Sequence, residues 1–213
     1  MYYIAAECAT ADKDELTATN LLDSVRLKRG LRVYGTGAGF KLPADSLSKE
    51  IARDFEGRDL VIVAVLNGTV LFLADLIRCL SLPLRLDFVG VSSYGLGTES
   101  GKVVFTKELR LDVRGRDVLL VDDILDTGKT LHRVLAMLKE LKPRQVKTCV
   151  LLEKAAKRVE AVRADYIGFS IPDEFVVGYG LDFAERYRNL PFIGVLRPEI
   201  YAGATSVTPD GIG

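Results

Sequence analysis

The stretch 118–130 places three carboxylates and a Thr-Gly-Lys-Thr sequence directly after four apolar residues. The carboxylates are those of Asp122, Asp123 and Asp126. Ionised carboxylates accept hydrogen bonds from vicinal hydroxyls or hold a hydrated Mg²⁺, whereas they repel phosphate. This part of the stretch therefore favours a sugar diol.

The residues that follow the carboxylates favour phosphate. Gly128 allows a ligand to approach the backbone closely, and the N–H groups at a helix start point outward with a partial positive charge. Thr127 and Thr130 add hydroxyl donors, and Lys129 lies between them. A sugar phosphate is the ligand that suits both halves of the stretch.

Continuous apolar runs and one amphipathic pattern indicate the elements that hold this stretch. The runs at 60–66, 118–121 and 146–152 are typical of strands buried on both faces of a parallel sheet. Leucine and valine at helical spacing over 131–141 predict an amphipathic helix, and the apolar segment 70–80 predicts a second one. Strands that alternate with helices indicate an α/β fold.

The sequence places the carboxylates at the end of a strand. We predict that this strand ends near Val121 and that its helix begins near Gly128, with the carboxylates in the connecting loop. Ligands bind at this edge of open α/β sheets. Adjacent strand residues point to opposite faces, so Asp122 and Asp123 can both reach a ligand only if the chain has already turned.

Composition limits the class of protein. The chain has 213 residues with 48% hydrophobic content, which suits one domain at 1–213, and 29 basic residues balance 29 acidic ones. This balance argues against binding to nucleic acid or to an anionic membrane. Cys8, Cys79 and Cys149 form no C-x-x-C pair, and no apolar run reaches the length of a membrane span. We therefore expect a cytoplasmic protein.

Three alternative interpretations concern these motifs. Asp126 or Thr127 could simply be the N-cap of the helix. A nucleotide-binding P-loop would need glycine where the chain has Asp123. The Gly-rich segment 35–39 lacks the glycine spacing of a dinucleotide fingerprint, and it follows only 31–34, which we judge too weak to be a strand.

The segment 121–130 resembles the phosphoribosyl diphosphate signature of type I phosphoribosyltransferases. Five further features resemble the hypoxanthine-guanine branch of that family, and the resemblance runs from Tyr34 to Tyr201. The features are Leu66-Asn-Gly-Thr69, Ser92-Ser-Tyr94, Leu151-Leu-Glu-Lys154, Pro172-Asp-Glu-Phe-Val-Val-Gly-Tyr-Gly-Leu-Asp182 and Arg188.

The resemblance implies a central, mostly parallel sheet flanked by helices, with a small hood built from the terminal segments. It also implies purine salvage, in which the phosphoribosyl group of phosphoribosyl diphosphate passes to hypoxanthine or guanine with Mg²⁺ as cofactor. The products would be IMP or GMP and pyrophosphate. A homodimer or homotetramer is expected, with the apolar helix at 70–80 as a candidate contact.

The resemblance assigns the phosphoribosyl diphosphate to the carboxylates and to two loops. Asp126 would take a ring proton from the purine as general base. Asp122 and Asp123 would bind ribose hydroxyls and the metal, and Arg188 would bind pyrophosphate. The remaining residues assigned to this substrate are Leu66, Asn67, Gly68, Thr127, Gly128, Lys129 and Thr130. Many members carry a cation where this chain has Asn67.

The resemblance assigns the purine to later segments. Lys154 would donate to the 6-oxo group and so exclude adenine, although on composition alone it belongs to a solvated charged segment at 153–158. Phe175 would lie against the base, and backbone groups of Val176 and Leu181 would bind its far edge, although Phe175 and Val176 alone suggest core positions. Asp182 would help to hold Mg²⁺.

Other residues receive less specific roles. Ser93 and Tyr94 precede the Gly-rich segment 95–101, which resembles the family's closing lid. His132 lies one turn into the helix, so we expect it to be structural or exposed. Residues 202–213 suggest a flexible tail.

Three other functions stay open from the sequence. One is a transferase for xanthine, another is a transferase that prefers hypoxanthine, and the third is a nucleotide-sensing regulator of the same fold that binds RNA.

Overall fold

The computed structural model describes residues 31–34, 44–94, 102–198 and 200. The contacts between residues divide the chain into two compact units. The first unit is built on 42–173, and the second on the two segments that flank it in the sequence. The second unit corresponds to the predicted hood, because it combines both terminal segments.

The described residues form nine strands and three helices. The strands are β1 (Leu31–Tyr34), β2 (Leu60–Leu66), β3 (Leu84–Tyr94), β4 (Lys102–Lys107), β5 (Asp117–Leu125), β6 (Gln145–Glu153), β7 (Tyr166–Ser170), β8 (Val176–Val177) and β9 (Ile193–Leu196). The helices are α1 (Ala44–Asp54), α2 (Val70–Cys79) and α3 (Lys129–Glu140). No helix in these described ranges is long and apolar enough to cross a membrane.

The first unit contains a sheet with strand order β4-β3-β2-β5-β6-β7. Every neighbouring pair is parallel except β3 and β4, which are antiparallel. The strands β2, β5 and β6 lie in the middle, and nearly all the side chains of β2 and most of those of β5 and β6 are buried. This burial explains their continuous apolar runs and confirms the predicted α/β fold.

The helices cover this sheet with their apolar sides. In α3, Leu131, Val134 and Leu138 are buried, while Arg133 and Lys139 are exposed, as the helical spacing predicts. The apolar side of α3 joins a core cluster formed with β2, β5 and β6. The apolar character of α2 is only partly explained by the core, because this helix buries its middle and leaves its first residues exposed.

The strand β5 is longer than the sequence predicts. We expected it to end near Val121, but Asp122 pairs with Val150 and Ile124 pairs with Leu152 of β6. The parallel ladder with β6 keeps the chain extended, so Asp122 and Asp123 lie in the strand and not in the loop. Of the three carboxylates, only that of Asp126 follows the strand.

The second unit contains a sheet with strand order β1-β9-β8. The segment 31–34, which we judged too weak to be a strand, is β1, and it pairs antiparallel with β9. The prediction was wrong because a short strand is stabilised by its partner, which here comes from a distant part of the sequence. The adjoining segment 35–39 lies outside the described residues.

A buried carboxylate fixes the stem of the β3–β4 hairpin. Asp87 Oδ1 accepts hydrogen bonds from the Phe88 N–H (2.7 Å) and Lys107 Nζ (3.1 Å), and Oδ2 accepts from the N–H groups of Arg110 (2.6 Å) and Leu111 (2.8 Å). Burial alone would raise the pKa of Asp87, but the three backbone N–H groups and the lysine outweigh it and lower that pKa to about 2.

Candidate active site

Three loops follow the central strands at one edge of the first unit's sheet. The strands β2, β5 and β6 end at Leu66, Leu125 and Glu153, and β5 is hydrogen-bonded to both of the others. Because the three strands are parallel, their carboxyl ends share this edge. The sheet therefore brings Lys154 together with those predicted sugar-phosphate residues that belong to the first unit.

The loop after β2 packs closely against β5. The Leu66–Asn67 peptide is cis, and a β-carbon added to Gly68 would overlap the carboxylate of Asp123. Glycine is therefore required at position 68 for this approach. Asn67 is exposed beside it.

The two adjacent carboxylates of β5 have different surroundings. Asp122 is 5% exposed, and its Oδ1 accepts a hydrogen bond from the Asp123 N–H (3.0 Å). Burial, together with the neighbouring charge of Asp123, raises the pKa of Asp122 well above its usual value. Asp123 instead reaches the loop at Gly68. The two side chains thus have unequal access, as expected for neighbours in a strand.

The start of α3 is capped by backbone geometry. Gly128 is the N-cap in a left-handed conformation (φ 85°), and as a glycine it makes no side-chain cap hydrogen bond. The interpretation of Asp126 as the N-cap is therefore wrong. Thr127 Oγ1 lies 3.5 Å from the Lys129 N–H, at the outer limit of a hydrogen bond.

Asp126 and Lys154 form the chemically most distinctive pair. Lys154 Nζ lies 3.8 Å from Asp126 Oδ2, and the lysine side chain is only 8% exposed. The other carboxylate oxygen, Asp126 Oδ1, is buried and has no hydrogen-bond partner among the described residues. The alternative of Lys154 on a solvated face is thus wrong, because this lysine turns inward beside a carboxylate.

The second unit holds the remaining predicted purine residues. Phe175 is 37% exposed and makes an edge-to-face contact with Phe183 (ring centroids 5.6 Å apart), whereas Val176 and Leu181 are buried. The core position that composition suggests therefore holds for Val176 and not for Phe175. Asp182 Oδ2 accepts a hydrogen bond from the Glu185 N–H (2.9 Å).

Arg188 of the second unit is held by its own neighbours. Its Nη2 lies 2.9 Å from Asp182 Oδ1 and 3.1 Å from Glu185 Oε2, and its Nη1 donates to the Gly180 carbonyl (2.9 Å). The guanidinium that we expected at the pyrophosphate is thus paired with the carboxylate that we expected at Mg²⁺.

The remaining predictions concern the lid, the C-terminal tail and the single histidine. Ser93 and Tyr94 are the last residues of β3, and the predicted lid at 95–101 lies outside the described residues, as does the predicted tail at 202–213. His132 is exposed on α3, with its Nδ1 3.5 Å from Glu160 Oε2. Its position agrees with the expectation that it is structural or exposed.

One residue near the site was missed from the sequence. Arg158 belongs to the charged segment that we interpreted as solvated, yet its side chain is only 18% exposed. Its guanidinium donates to the carbonyls of Asp126 (3.1 Å) and Val162 (2.7 Å) and to Glu153 Oε1 (3.1 Å). No motif in the sequence indicated this role, because the partners are mostly backbone atoms.

The metal-binding potential of these residues is limited. The described residues contain no group of three or more His, Cys, Asp or Glu side chains able to hold a metal ion. Mg²⁺ commonly binds one or two carboxylates and otherwise takes its oxygens from substrate phosphates and water. The partly exposed carboxylates of Asp123 and Asp182 suit this mode of binding.

Comparison with known proteins identifies the family of this chain. A family model for the phosphoribosyl transferase domain matches residues 36–184. A hypoxanthine-guanine phosphoribosyltransferase of Staphylococcus aureus is 45% identical over 157 residues, which cover 73% of this chain and 88% of the relative. A crystal structure of a hypoxanthine-guanine phosphoribosyltransferase from Bacillus anthracis is 44% identical with a TM-score of 0.68, covering 72% of this chain and 90% of that one.

A longer relative shares the same region. The bifunctional protein TilS/HprT of Listeria innocua is 50% identical over 157 residues, which cover 73% of this chain but only 24% of the relative. The chain therefore spans about a quarter of the length of that relative. The family model and the relatives that are matched over most of their length show that this chain belongs to the phosphoribosyltransferase family, in its hypoxanthine-guanine branch. The predicted family and fold class are confirmed.

Proposed function

We propose that this chain transfers the 5-phosphoribosyl group from phosphoribosyl diphosphate to hypoxanthine or guanine in purine salvage. The observation that carries this proposal is the pair formed by Asp126 and the buried Lys154, with 3.8 Å between Oδ2 and Nζ. In a 6-oxopurine the 6-oxo oxygen and N7 lie on one edge of the base. A donor and an acceptor held side by side match that edge.

The pair suits the chemistry of the transfer. A nitrogen of the purine attacks carbon 1 of the ribose, the bond from that carbon to the diphosphate oxygen breaks, and the electron pair leaves with pyrophosphate. The proton on the purine's five-membered ring passes to the Asp126 carboxylate, whose Oδ1 has no other partner among the described residues. Lys154 donates to the 6-oxo oxygen and so favours the tautomer that reacts.

The first unit also provides groups for phosphoribosyl diphosphate. The backbone N–H groups at the start of α3 face outward from Gly128, with the hydroxyls of Thr127 and Thr130 beside them. Leu66 ends β2 at the same edge, and Asn67 and Gly68 follow it, so that this segment can offer backbone donors to the diphosphate. Asp122 and Asp123 are the candidates for the ribose hydroxyls.

Magnesium is the cofactor that these carboxylates suit. Asp122, Asp123 and Asp182 are each candidates to bind it through one carboxylate, with substrate oxygens as the other ligands, since no closed protein cage exists in the described residues. When bound, it would neutralise charge on the leaving pyrophosphate. The partial exposure of Asp123 and Asp182 supports this assignment, whereas the burial of Asp122 makes it the least accessible of the three.

The roles of the second unit and of the lid rest on the family resemblance. They place Phe175, Val176 and Leu181 against the purine and Arg188 at the pyrophosphate, with Ser93 and Tyr94 at the base of a closing lid. The exposure of Phe175 supports its role, because an aromatic ring that stacks on a base must be accessible.

The cellular setting belongs to the same proposal. A cytoplasmic enzyme agrees with the absence of a C-x-x-C pair in the sequence. A homodimer or homotetramer would cover the exposed Val70 and Leu71 at the start of α2. The balanced charge of the chain gives no support to a nucleic-acid partner.

The proposal is tested with purified protein, phosphoribosyl diphosphate and Mg²⁺ against hypoxanthine, guanine, xanthine and adenine in separate assays of pyrophosphate release. We expect turnover of hypoxanthine and guanine and none of adenine, because adenine presents an amino group to Lys154. Comparable turnover of adenine would contradict the base assignment. Turnover of xanthine alone, or of hypoxanthine alone, would identify a transferase with a narrower substrate. If the protein shows no turnover of any base but binds RNA tightly, the function of an RNA-binding regulator would be favoured.

A further inference from the structure

Arg158 connects the ends of two neighbouring strands through their backbones. Its Nε donates to the carbonyl of Asp126 (3.1 Å), which follows β5. Its Nη2 donates to Glu153 Oε1 (3.1 Å) and lies 3.4 Å from the carbonyl of Lys154, which follows β6, and 3.5 Å from that of Leu125. The guanidinium therefore contacts the backbone of both residues that we assign to the purine edge.

The set of contacts is specific to arginine. Nη1 donates to the Val162 carbonyl (2.7 Å), so acceptors surround the guanidinium on several sides. A guanidinium presents five N–H donors in a rigid planar fork, whereas a lysine ammonium presents three donors from one nitrogen. Lysine at position 158 would keep the charge but could not reach these acceptors together.

We propose that Arg158 is a positioning residue for the transfer reaction, which holds Asp126 and Lys154 at the separation needed to act on one purine. This inference rests on the proposed function and deepens it. It assigns to Arg158 no contact with substrate.

The use of backbone carbonyls leaves the working side chains available. Arg158 binds the carbonyl of Asp126 and not its carboxylate, and Oδ1 of that carboxylate has no partner among the described residues. The ammonium of Lys154 lies 3.8 Å from Asp126 Oδ2, beyond a direct hydrogen bond. The hydrogen bonds of Arg158 thus fix the backbone positions of Asp126 and Lys154, and they do not use the charged group of either side chain.

The segment that carries Arg158 has anchors of its own. The N–H groups of Val159 and Glu160 both donate to the Thr127 carbonyl (2.9 and 3.0 Å), and the Lys154 N–H donates to the Leu125 carbonyl (2.9 Å). These bonds hold the segment over the start of α3 without the guanidinium. Loss of the fork should therefore affect the alignment of Asp126 with Lys154 more than the fold.

The principal test is Arg158→Lys, compared with Arg163→Lys as a matched control on an exposed arginine of the same segment. We expect kcat with hypoxanthine to fall about 10- to 100-fold, because small misplacements of catalytic groups have effects of this order. KM for phosphoribosyl diphosphate and the Tm should change little. The control should match the wild-type protein in all three quantities.

A double variant distinguishes an effect of Arg158 on the position of Asp126 from a general effect on the structure. If Arg158 acts through Asp126, the Arg158→Lys change should reduce kcat by a factor at least roughly threefold smaller in an Asp126→Asn background than in the wild type. If the two losses multiply in full, the arginine acts independently of the carboxylate. That result would overturn the proposal.

Other outcomes are also decisive. An unchanged kcat in Arg158→Lys, or a rise confined to KM for phosphoribosyl diphosphate, would refute the positioning role. Should Arg158→Lys fail to fold, Glu153→Gln removes one charged partner of the guanidinium and should lower kcat in the same direction by a smaller factor, while no decrease in a folded Glu153→Gln would refute it. An inactive wild-type protein would refute the proposed function itself.

Discussion

Asp87 and Asp126 are both carboxylates of the first unit's sheet region, yet their surroundings differ in almost every respect. Both oxygens of Asp87 accept two hydrogen bonds each, and its pKa is lowered to about 2. One oxygen of Asp126 is buried without a partner among the described residues, and the other has only a lysine at 3.8 Å. A carboxylate whose oxygens are all hydrogen-bonded stabilises the fold, whereas one with a buried oxygen that lacks a hydrogen bond is a place for a substrate.

Replacement of the Asp126 carboxylate should give the largest effect on activity. We expect Asp126→Asn to lower kcat on the order of 10²–10⁴-fold, since it removes the general base but keeps the size of the side chain. The Tm should change little, because α3 is capped by Gly128 and not by Asp126. Steady-state kinetics and thermal unfolding of the same preparation check this. A lowered Tm with unchanged kcat would make Asp126 a structural residue like Asp87.

Arg188 is an intermediate case, because its donors are already used within the second unit by Asp182, Glu185 and Gly180. We expect Arg188→Ala to raise KM for phosphoribosyl diphosphate roughly 10- to 100-fold, which corresponds to the loss of about 1.5–3 kcal/mol for a charge-assisted hydrogen bond. Arg186→Ala, at a neighbouring exposed arginine, is the control. A lowered Tm with an unchanged KM would show that Arg188 is a structural residue.

Replacement of the paired carboxylate should act on stability alone. We expect Asp87→Asn to lower the free energy of unfolding at pH 7 by about 2 kcal/mol, while kcat of the folded protein stays the same. The folded-state pKa of Asp87 lies below its usual value, so this stabilisation is complete above about pH 4 and is lost as pH falls toward 2. Urea titrations across this window should give a flatter pH dependence for the variant.

The matched control for that experiment is Asp112→Asn, at an exposed carboxylate that accepts one backbone N–H from Arg114 (3.0 Å). It should change stability much less than Asp87→Asn does. Equal effects of the two substitutions would show that the number of hydrogen bonds to a carboxylate does not separate structural from functional positions in this sheet.

The smallest effect is expected at Asn67, an exposed residue next to the Gly68 loop. We expect Asn67→Lys to change KM for phosphoribosyl diphosphate by less than about threefold, because the proposed contacts of this loop are made by its backbone and exposed substitutions contribute little. A large gain in affinity would show that the loop needs a cation. It would also show that Arg188 alone does not supply the charge.

The sequence predicted correctly those elements whose pattern of burial is uniform along their length. The runs that became β2 and β6 are apolar on both faces, and the helical spacing of α3 reflects one buried side. The Thr-Gly-Lys-Thr sequence located the start of that helix because the left-handed conformation at Gly128 favours glycine. Local chemistry was sufficient in these cases.

The features that sequence reasoning missed depend on distant partners. The strand β5 continues through Asp122 and Asp123 because β6 pairs with it, and β1 forms because β9 pairs with it. Arg158 looked solvated because its partners are carbonyls of other segments. The inward position of Lys154 was expected from the family resemblance alone.

The strand order has a consequence for how activity develops during folding. The loops that meet at the candidate site follow β2, β5 and β6, which are neighbours in space but separated by long stretches of chain. Parallel pairing of such distant segments forms slowly compared with helices. During refolding, the circular dichroism signal of the helices should therefore recover before the ability to bind substrate. Recovery of substrate binding should coincide with completion of the sheet.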